Sequence, residues 1–417
     1  MTRAGSTALV AVALGLFLGC WTLLHHGFLE RGQLTDTGTY ARYGDAIADG
    51  AVPYRDFRLE YPPGALPVFV LPSLGHEGDQ VAYDRWFDRL MALCGCIAIY
   101  GAALALLALG AGPVRSGAAL GLMALSPLLL GSVVLSRFDY WPAALAVLAV
   151  AALLWERHAL SSLALGAAIA AKLWPAVLVP LALIWVWRTR SARAAAGWAA
   201  GLVAVDAACF LPFAVLSPAG LRASFHAQLA RPLQLESLGS ALLIAVHHLA
   251  GTHLTVVSRF GSQNPSGSGV HALGVASTVA TAVAVTGVWL LFEQGPATGE
   301  RLVAHSAAAA AVLLAFAKVF SPQFLVWLVP LVPLVRGRRG FGAGVLLAAA
   351  LALTQAWFPR HYWPLVNTLA PTQSWLLLVR DLTVVVLAAL LAWPRPEHEP
   401  LGEGRARLAA LGRMRSP

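Results

Sequence analysis

Long apolar stretches recur along the chain, separated by short polar or glycine- and proline-rich breaks. Runs of about 20 apolar residues are what an α-helix needs to cross a bilayer. They fall at 6–28, 86–110, 117–135, 140–155, 195–216, 271–292, 302–317, 341–357 and 374–393. Two further stretches are too interrupted for one helix. Residues 160–187 are apolar except for Lys172, with Glu156-Arg157-His158 before them and Arg188-Thr189-Arg190-Ser191-Ala192-Arg193 after. A single helix would place one basic cluster on each side of the membrane. A hairpin of two short helices keeps both on one side, with Lys172 at its tip. Residues 302–335 are broken at 318–323 and closed by Arg336-Gly337-Arg338-Arg339, so they read as a second hairpin. The pattern predicts an all-α polytopic membrane protein of about 12 transmembrane helices, both termini in the cytoplasm and the arginine clusters inside, as the positive-inside rule expects.

Residues 1–395 then form a single transmembrane domain and 396–417 a cytoplasmic tail. The first run is too long for a signal-peptide core and has no A-x-A site after it, so it reads as a retained span. Two segments, 29–85 and 217–270, are long enough to carry structure outside. The first holds nine of the chain's 20 acids. Tyr40, Tyr43, Ile47 and Val52 predict an amphipathic helix lying on the membrane surface, stopped by Gly50. Pro62-Pro63 can open a second surface helix over 64–74, since proline is tolerated in a first turn. The Gly/Ser/Asn/Pro stretch 261–269 reads as a flexible loop.

Composition agrees with a chain whose outer faces meet lipid. Hydrophobic residues make up 58% and charged residues 12%, against about 25% charged in soluble domains. The net charge of +9 comes from cations scattered between apolar runs, which excludes a nucleic-acid partner. Cys20, Cys94, Cys96 and Cys209 lie in apolar runs and read as small core residues. No histidine spacing indicates a metal, and no cofactor is expected.

The polar residues that remain are few. Asp36, just past the first span, is placed either to cap the surface helix or to act as a general base. The segment 52–64 alternates charges and aromatics, either as a loop tied by Arg–carboxylate pairs or as the polar floor of a sugar site. Only two lysines, Lys172 and Lys318, stand against 27 arginines. Both sit at hairpin tips, where a compact ammonium suits a phosphate oxygen, although snorkelling is the alternative. Arg137 and Asp139 lie at an outer turn. Arg380-Asp381 lies within the last span and Asp206 within another, as buried pairs or facing a functional cavity. Arg380 is the expected second phosphate contact.

Several of these residues recur in a known pattern. Asp36 with Tyr40, Gly50 with Tyr54 (one residue longer than G-x-x-Y), Tyr61-Pro62-Pro63, Lys172-Leu173-Trp174-Pro175 as K-x-x-P and Lys318-Val319-Phe320-Ser321-Pro322 as K-x-x-S-P are similar to motifs of the GT-C superfamily. Within it the chain resembles the actinobacterial polyprenol-phosphate-mannose-dependent mannosyltransferases. Where better-known members follow Ser-Pro with Trp and paired histidines, this chain has Gln323-Phe324-Leu325-Val326-Trp327.

The resemblance implies an inverting glycosyltransferase of the cell membrane. It would move a sugar, mannose in that family, from a polyprenyl monophosphate to a glycolipid or glycan acceptor on the outer face. Asp36 would be the base. Lys172, Lys318 and Arg380 would hold the phosphate. Tyr40, Tyr54, Arg55, Asp56, Glu60, Tyr61, Arg137, Asp139 and Gln323 would contact sugar and acceptor. The alternatives are a lipid-linked-sugar transporter, which should show internal repeats, and an inactive scaffold of the same fold.

Overall fold

A computed structural model of the chain describes residues 3–30 and 32–393; the expected tail, 396–417, lies outside the described residues. Sixteen α-helices follow in order: α1 Arg3–Leu23, α2 Thr37–Ala48, α3 Leu66–Val70, α4 Gln80–Ala108, α5 Pro113–Leu130, α6 Tyr140–Leu154, α7 His158–Ala171 and α8 Val179–Thr189, then α9 Ala192–Leu216, α10 Pro218–Leu229, α11 Leu238–Ala250, α12 Val270–Gln294, α13 Gly299–Phe316, α14 Gly337–Trp357, α15 Tyr362–Thr368 and α16 Pro371–Ala392. Helix α1 (from Gly5) and helices α4, α5, α9, α12, α13, α14 and α16 are long and apolar enough to cross a membrane. The protein is a multi-pass, all-α membrane protein. Five shorter apolar stretches lie among these helices: α6, α7, Trp174–Thr189, α11 and Pro322–Leu334.

The helices pack as two neighbourhoods. In one, α6 lies between α4 and α7, and α9 covers α7; in the other, α16 packs on α13 and α14, with α12 on α13. Contacts of α5 with α1 and with α14 join them. Cores of both share one buried apolar cluster running from Ala13 to Leu391.

The two interruptions are where the fold departs from straight spans. Helix α7 ends at Lys172, whose backbone turns extended (φ −161°), and Pro175 sits in the short 3-10 turn Trp174–Leu178 that follows. Proline so close cannot join the α7 ladder. A 14-residue helix rises about 21 Å, short of a hydrocarbon core of about 30 Å, so this tip stops inside the depth of the bundle. After α13 the second arm is two 3-10 turns, Pro322–Trp327 and Val332–Leu334, in place of the short helix expected. Pro322, Pro330 and Pro333 prevent one. Residues 325–335 are all buried, the condition under which non-helical backbone is tolerated at membrane depth.

The surface helix is present as α2, two residues short of Gly50. The second surface helix is shorter than expected: a 3-10 turn, Pro63–Ala65, leads into the five residues of α3. The flexible loop expected at 261–269 is corrected. Strands β1 Leu254–Arg259 and β2 Ser262–Gly267 pair antiparallel, Arg259 opposite Ser262. Phe260 and Gly261 both have positive φ (55° and 64°), as a two-residue hairpin turn requires. The Asn264 amide closes the turn by donating to the Arg259 and Ser262 carbonyls at 2.9 and 3.0 Å.

Gly64 marks the closest approach of the first loop to the Lys172 hairpin. A Cβ there would overlap the Ala170 carbonyl carbon and lie 2.6 Å from Ala171 N. The Gly64 carbonyl accepts from Trp141 Nε1 at 3.1 Å. Gly64→Ala is expected to push the two segments apart at a cost of about 1–3 kcal/mol. A lowered thermal unfolding midpoint in detergent checks this; an unchanged midpoint would mean the contact yields freely.

Candidate active site

At one end of the bundle a cavity of about 530 Å³ opens between segments far apart in sequence. Leu34 to Tyr40 and Glu60 to Pro62 form one wall, from the segment before α2 and the loop before α3. Arg137 to Asp139, between α5 and α6, form the floor with the two tips, Lys172 to Trp174 and Val319 to Trp327. Opposite stand Gln228 to Glu236, between α10 and α11, and Phe358 to Trp363, at the start of α15. The β1–β2 turn, Gly261 to Gln263, closes one edge.

Asp36 occupies the N-cap position of α2, but its side chain makes no capping bond. Its carboxylate instead meets Arg137 Nε at 3.1 Å and accepts from the Tyr40 hydroxyl at 3.4 Å, both through Oδ2. Arg137 is held in turn by donating to the Ser136 carbonyl and hydroxyl at 3.2 and 3.1 Å. Tyr40 is fixed by stacking on Phe69, with ring centroids 4.5 Å apart, and by edge contacts to Tyr61 and Phe138. The cap alternative therefore loses its bond, and the carboxylate faces the cavity with Oδ1 uncommitted among the described residues.

Lys172 is the centre of the floor. Its ammonium donates to Asp139 Oδ1 at 2.7 Å, and the same oxygen accepts from Trp327 Nε1 at 2.6 Å. Three rings surround it, Phe138 and Phe324 at 4.7 Å and Trp327 at 5.3 Å. Trp174 stacks on Trp327 at 5.1 Å. The two hairpin tips thus meet through one lysine, one acid and a pair of tryptophans.

Of the four residues expected to converge, Asp36 and Lys172 line the cavity; Lys318 and Arg380 do not. Both are held by other partners. Lys318 Nζ donates to the Leu229 carbonyl at 2.9 Å. Leu229 is the last residue of α10, where an unpaired carbonyl and the negative end of the helix dipole attract a cation. Arg380 is fully buried. Its Nε meets Asp381 at 3.0 Å, Nη2 donates to the Glu236 carbonyl at 2.8 Å, and its Cζ lies 4.0 Å from the Phe320 ring centre.

Three more expected contacts lie off the cavity. Arg55 and Asp56 pair with each other on the surface at 2.9 Å, and that bond holds the Asp56 carboxyl down at about 2. Tyr54 donates to the Tyr61 carbonyl at 2.6 Å and packs on Phe213. Tyr40, Glu60, Tyr61, Arg137, Asp139 and Gln323 do line the cavity.

The wall between α10 and α11 is the part sequence reasoning left without a role. Arg231 forms no ion pair or hydrogen bond among the described residues, and its Nε is buried. It is the one cavity-lining base there without a carboxylate partner. Glu236 is 3% exposed and accepts from the Tyr362 hydroxyl at 2.7 Å. Gln234 donates to Ser321 at 3.0 Å, tying this wall to the second tip. The signal was available as a run of polar residues, Arg231, Gln234 and Glu236, between two apolar helices. Among the described residues no three His, Cys, Asp or Glu side chains gather as a metal site would need.

A cavity of this size, lined by aromatics, amides and paired charges, suits a sugar beside an anionic group. No curated protein matches the sequence. Among solved structures the chain is similar to ArnT from Cupriavidus metallidurans bound to undecaprenyl phosphate, at 15% identity and a TM-score of 0.49, over 94% of this chain and 78% of that one. The apo state of the same protein gives 14% identity and a TM-score of 0.48, over 93% and 77%. A family model, Glycosyltransferase family 87, matches residues 59–322, well over half of the chain and most of the cavity-lining segments. The chain belongs to glycosyltransferase family 87 and is a membrane-embedded glycosyltransferase.

Proposed function

We propose that the protein transfers a sugar, with mannose favoured, from a polyprenyl monophosphate carrier to a lipid or glycan acceptor on the outer face of the cell membrane, with both termini in the cytoplasm. The observation that carries this reading is the cavity itself. It combines an uncommitted carboxylate oxygen on Asp36 with an unpaired cation, Arg231, at the end of the bundle that carries the acid-rich loop.

In this reaction the acceptor hydroxyl attacks the anomeric carbon from the face opposite the phosphate. The C–O bond to the acceptor forms as the bond to the phosphate oxygen breaks, so configuration inverts. Asp36 takes the hydroxyl proton through Oδ1, while Arg137 and Tyr40 hold Oδ2 and fix the carboxylate plane. The leaving phosphate gathers negative charge, which a cation not already neutralised stabilises most. Arg231 meets that condition. Lys172 contributes less direct charge, because Asp139 already balances it. Glu60, Tyr61 and Gln323 remain to orient sugar and acceptor.

Membranes containing the protein, incubated with polyprenyl-phosphate sugars labelled in the sugar, should move label from the carrier into lipid or glycan. If no sugar is moved from any such carrier while the protein is present and folded, the reading fails. Arg231→Gln is expected to raise the KM for the donor about ten- to a hundredfold, the worth of a charge-assisted contact. An unchanged donor KM would remove Arg231 from the phosphate site.

A further inference from the structure

The charged side chains lining the cavity are four acids, Asp36, Glu60, Asp139 and Glu236, and three bases, Arg137, Lys172 and Arg231. Fully ionised, they leave one negative charge in excess, the wrong sign for an anionic lipid phosphate. Two acids are cancelled by ion pairs, Asp36 by Arg137 and Asp139 by Lys172. Glu60 is exposed, and water screens it.

Glu236 differs from all of these. It is almost wholly buried at the cavity wall. One oxygen, Oε1, accepts from Tyr362, and the other, Oε2, has no hydrogen-bond partner. It lies on the same connecting segment as Arg231, the unpaired base. A charged Glu236 competes with a phosphate for the field of Arg231. A protonated Glu236 does not.

We propose that Glu236 carries a proton while a lipid phosphodiester occupies Arg231, so that no buried carboxylate competes with the phosphate for that cation. This rests on the phosphate reading of the cavity and adds which acid must be neutral for it to work. Burial pushes the Glu236 carboxyl above the usual range, against the pull of the Tyr362 bond and of Arg380 and Arg231. The groups facing it are Tyr362 from α15, Arg380 and Asp381 from α16 and Arg231 from its own segment, with Arg137 acting on Tyr362. Arg380 and Asp381 balance each other, so Arg231 is the net charge Glu236 meets. Donor binding then takes up one proton from solution. Affinity is full below the Glu236 pKa and falls as pH rises through it, about tenfold per pH unit.

The test is calorimetric titration of the full-length protein in nanodiscs with farnesyl methyl phosphate. This probe has an isoprenoid chain, no sugar and a single charge that stays constant from about pH 5.5 to about 9. Buffers of different ionisation enthalpy count the protons. Wild type should take up a proton and lose affinity with rising pH. Glu236→Gln should bind at the low-pH affinity of wild type, with no proton uptake and a flat profile. Tyr362→Phe removes the donor that favours the charged form, so its affinity loss should move to higher pH. A wild-type profile that is flat, a Glu236→Gln profile that keeps the slope, or a Tyr362→Phe midpoint that does not move would overturn the proposal. Failure of the wild type to bind the diester at any pH overturns the phosphate reading as well. Binding that Arg231→Gln abolishes, with a flat wild-type profile, overturns the Glu236 assignment alone.

Discussion

Asp36→Asn protein is expected to fold and insert like wild type and to transfer sugar about 10²–10⁴-fold more slowly, the usual worth of a general base. The substitution changes little else. An asparagine oxygen can still face Arg137, and Tyr40 is held by its ring contacts rather than by its 3.4 Å bond to Asp36. What asparagine cannot do is take the acceptor proton. The loss should therefore appear in kcat, with the donor KM nearly unchanged. Single-turnover transfer from a labelled carrier separates the two. A wild-type rate would move the base elsewhere in the cavity, to Glu60.

The second large effect concerns stability. Arg380 and Asp381 are 0% and 1% exposed within α16. Arg380→Met should destabilise the protein by about 3–5 kcal/mol, because it strands a buried carboxylate. Arg380→Met combined with Asp381→Leu should recover most of that loss, since replacing both members of a buried pair with apolar groups is often close to neutral. The Glu236 carbonyl also loses its Nη2 donor in both variants, so recovery will stop short of complete. Thermal unfolding of the two variants in one detergent provides the comparison. If the double variant is no more stable than the single, the pair is not the source of the cost. Donor binding that survives in the double variant would agree with the place of Arg380 outside the cavity lining.

Much of the architecture was legible because hydropathy, arginine clusters and proline act locally. The long spans, the α2 surface helix and the break at Lys172-Leu173-Trp174-Pro175 all follow from neighbours in sequence. The site was less legible because a charge in an apolar run reports depth, not direction. Arg380 lies in an apolar run, but its neighbour Asp381 and the rings of Phe320 and Trp357 hold it inside the bundle. Lys318 is at a tip, as its spacing implied. It is claimed there by the carbonyl end of α10, 89 residues earlier. Arg231 and Glu236 gain their meaning only when α10 and α11 carry their connecting segment across to Tyr362 and the second tip.

The Trp174–Trp327 stack and the Lys172–Asp139–Trp327 junction turn two separate hairpin tips into one solid piece. A floor built this way is set when the chain folds, not when substrate arrives. Its polar atoms are already oriented, so a reacting substrate meets fixed dipoles and need not reorganise them. The same rigidity makes the floor intolerant of small change. Shortening either tryptophan would loosen both tips together, and a defect in one hairpin would be felt as misalignment in the other.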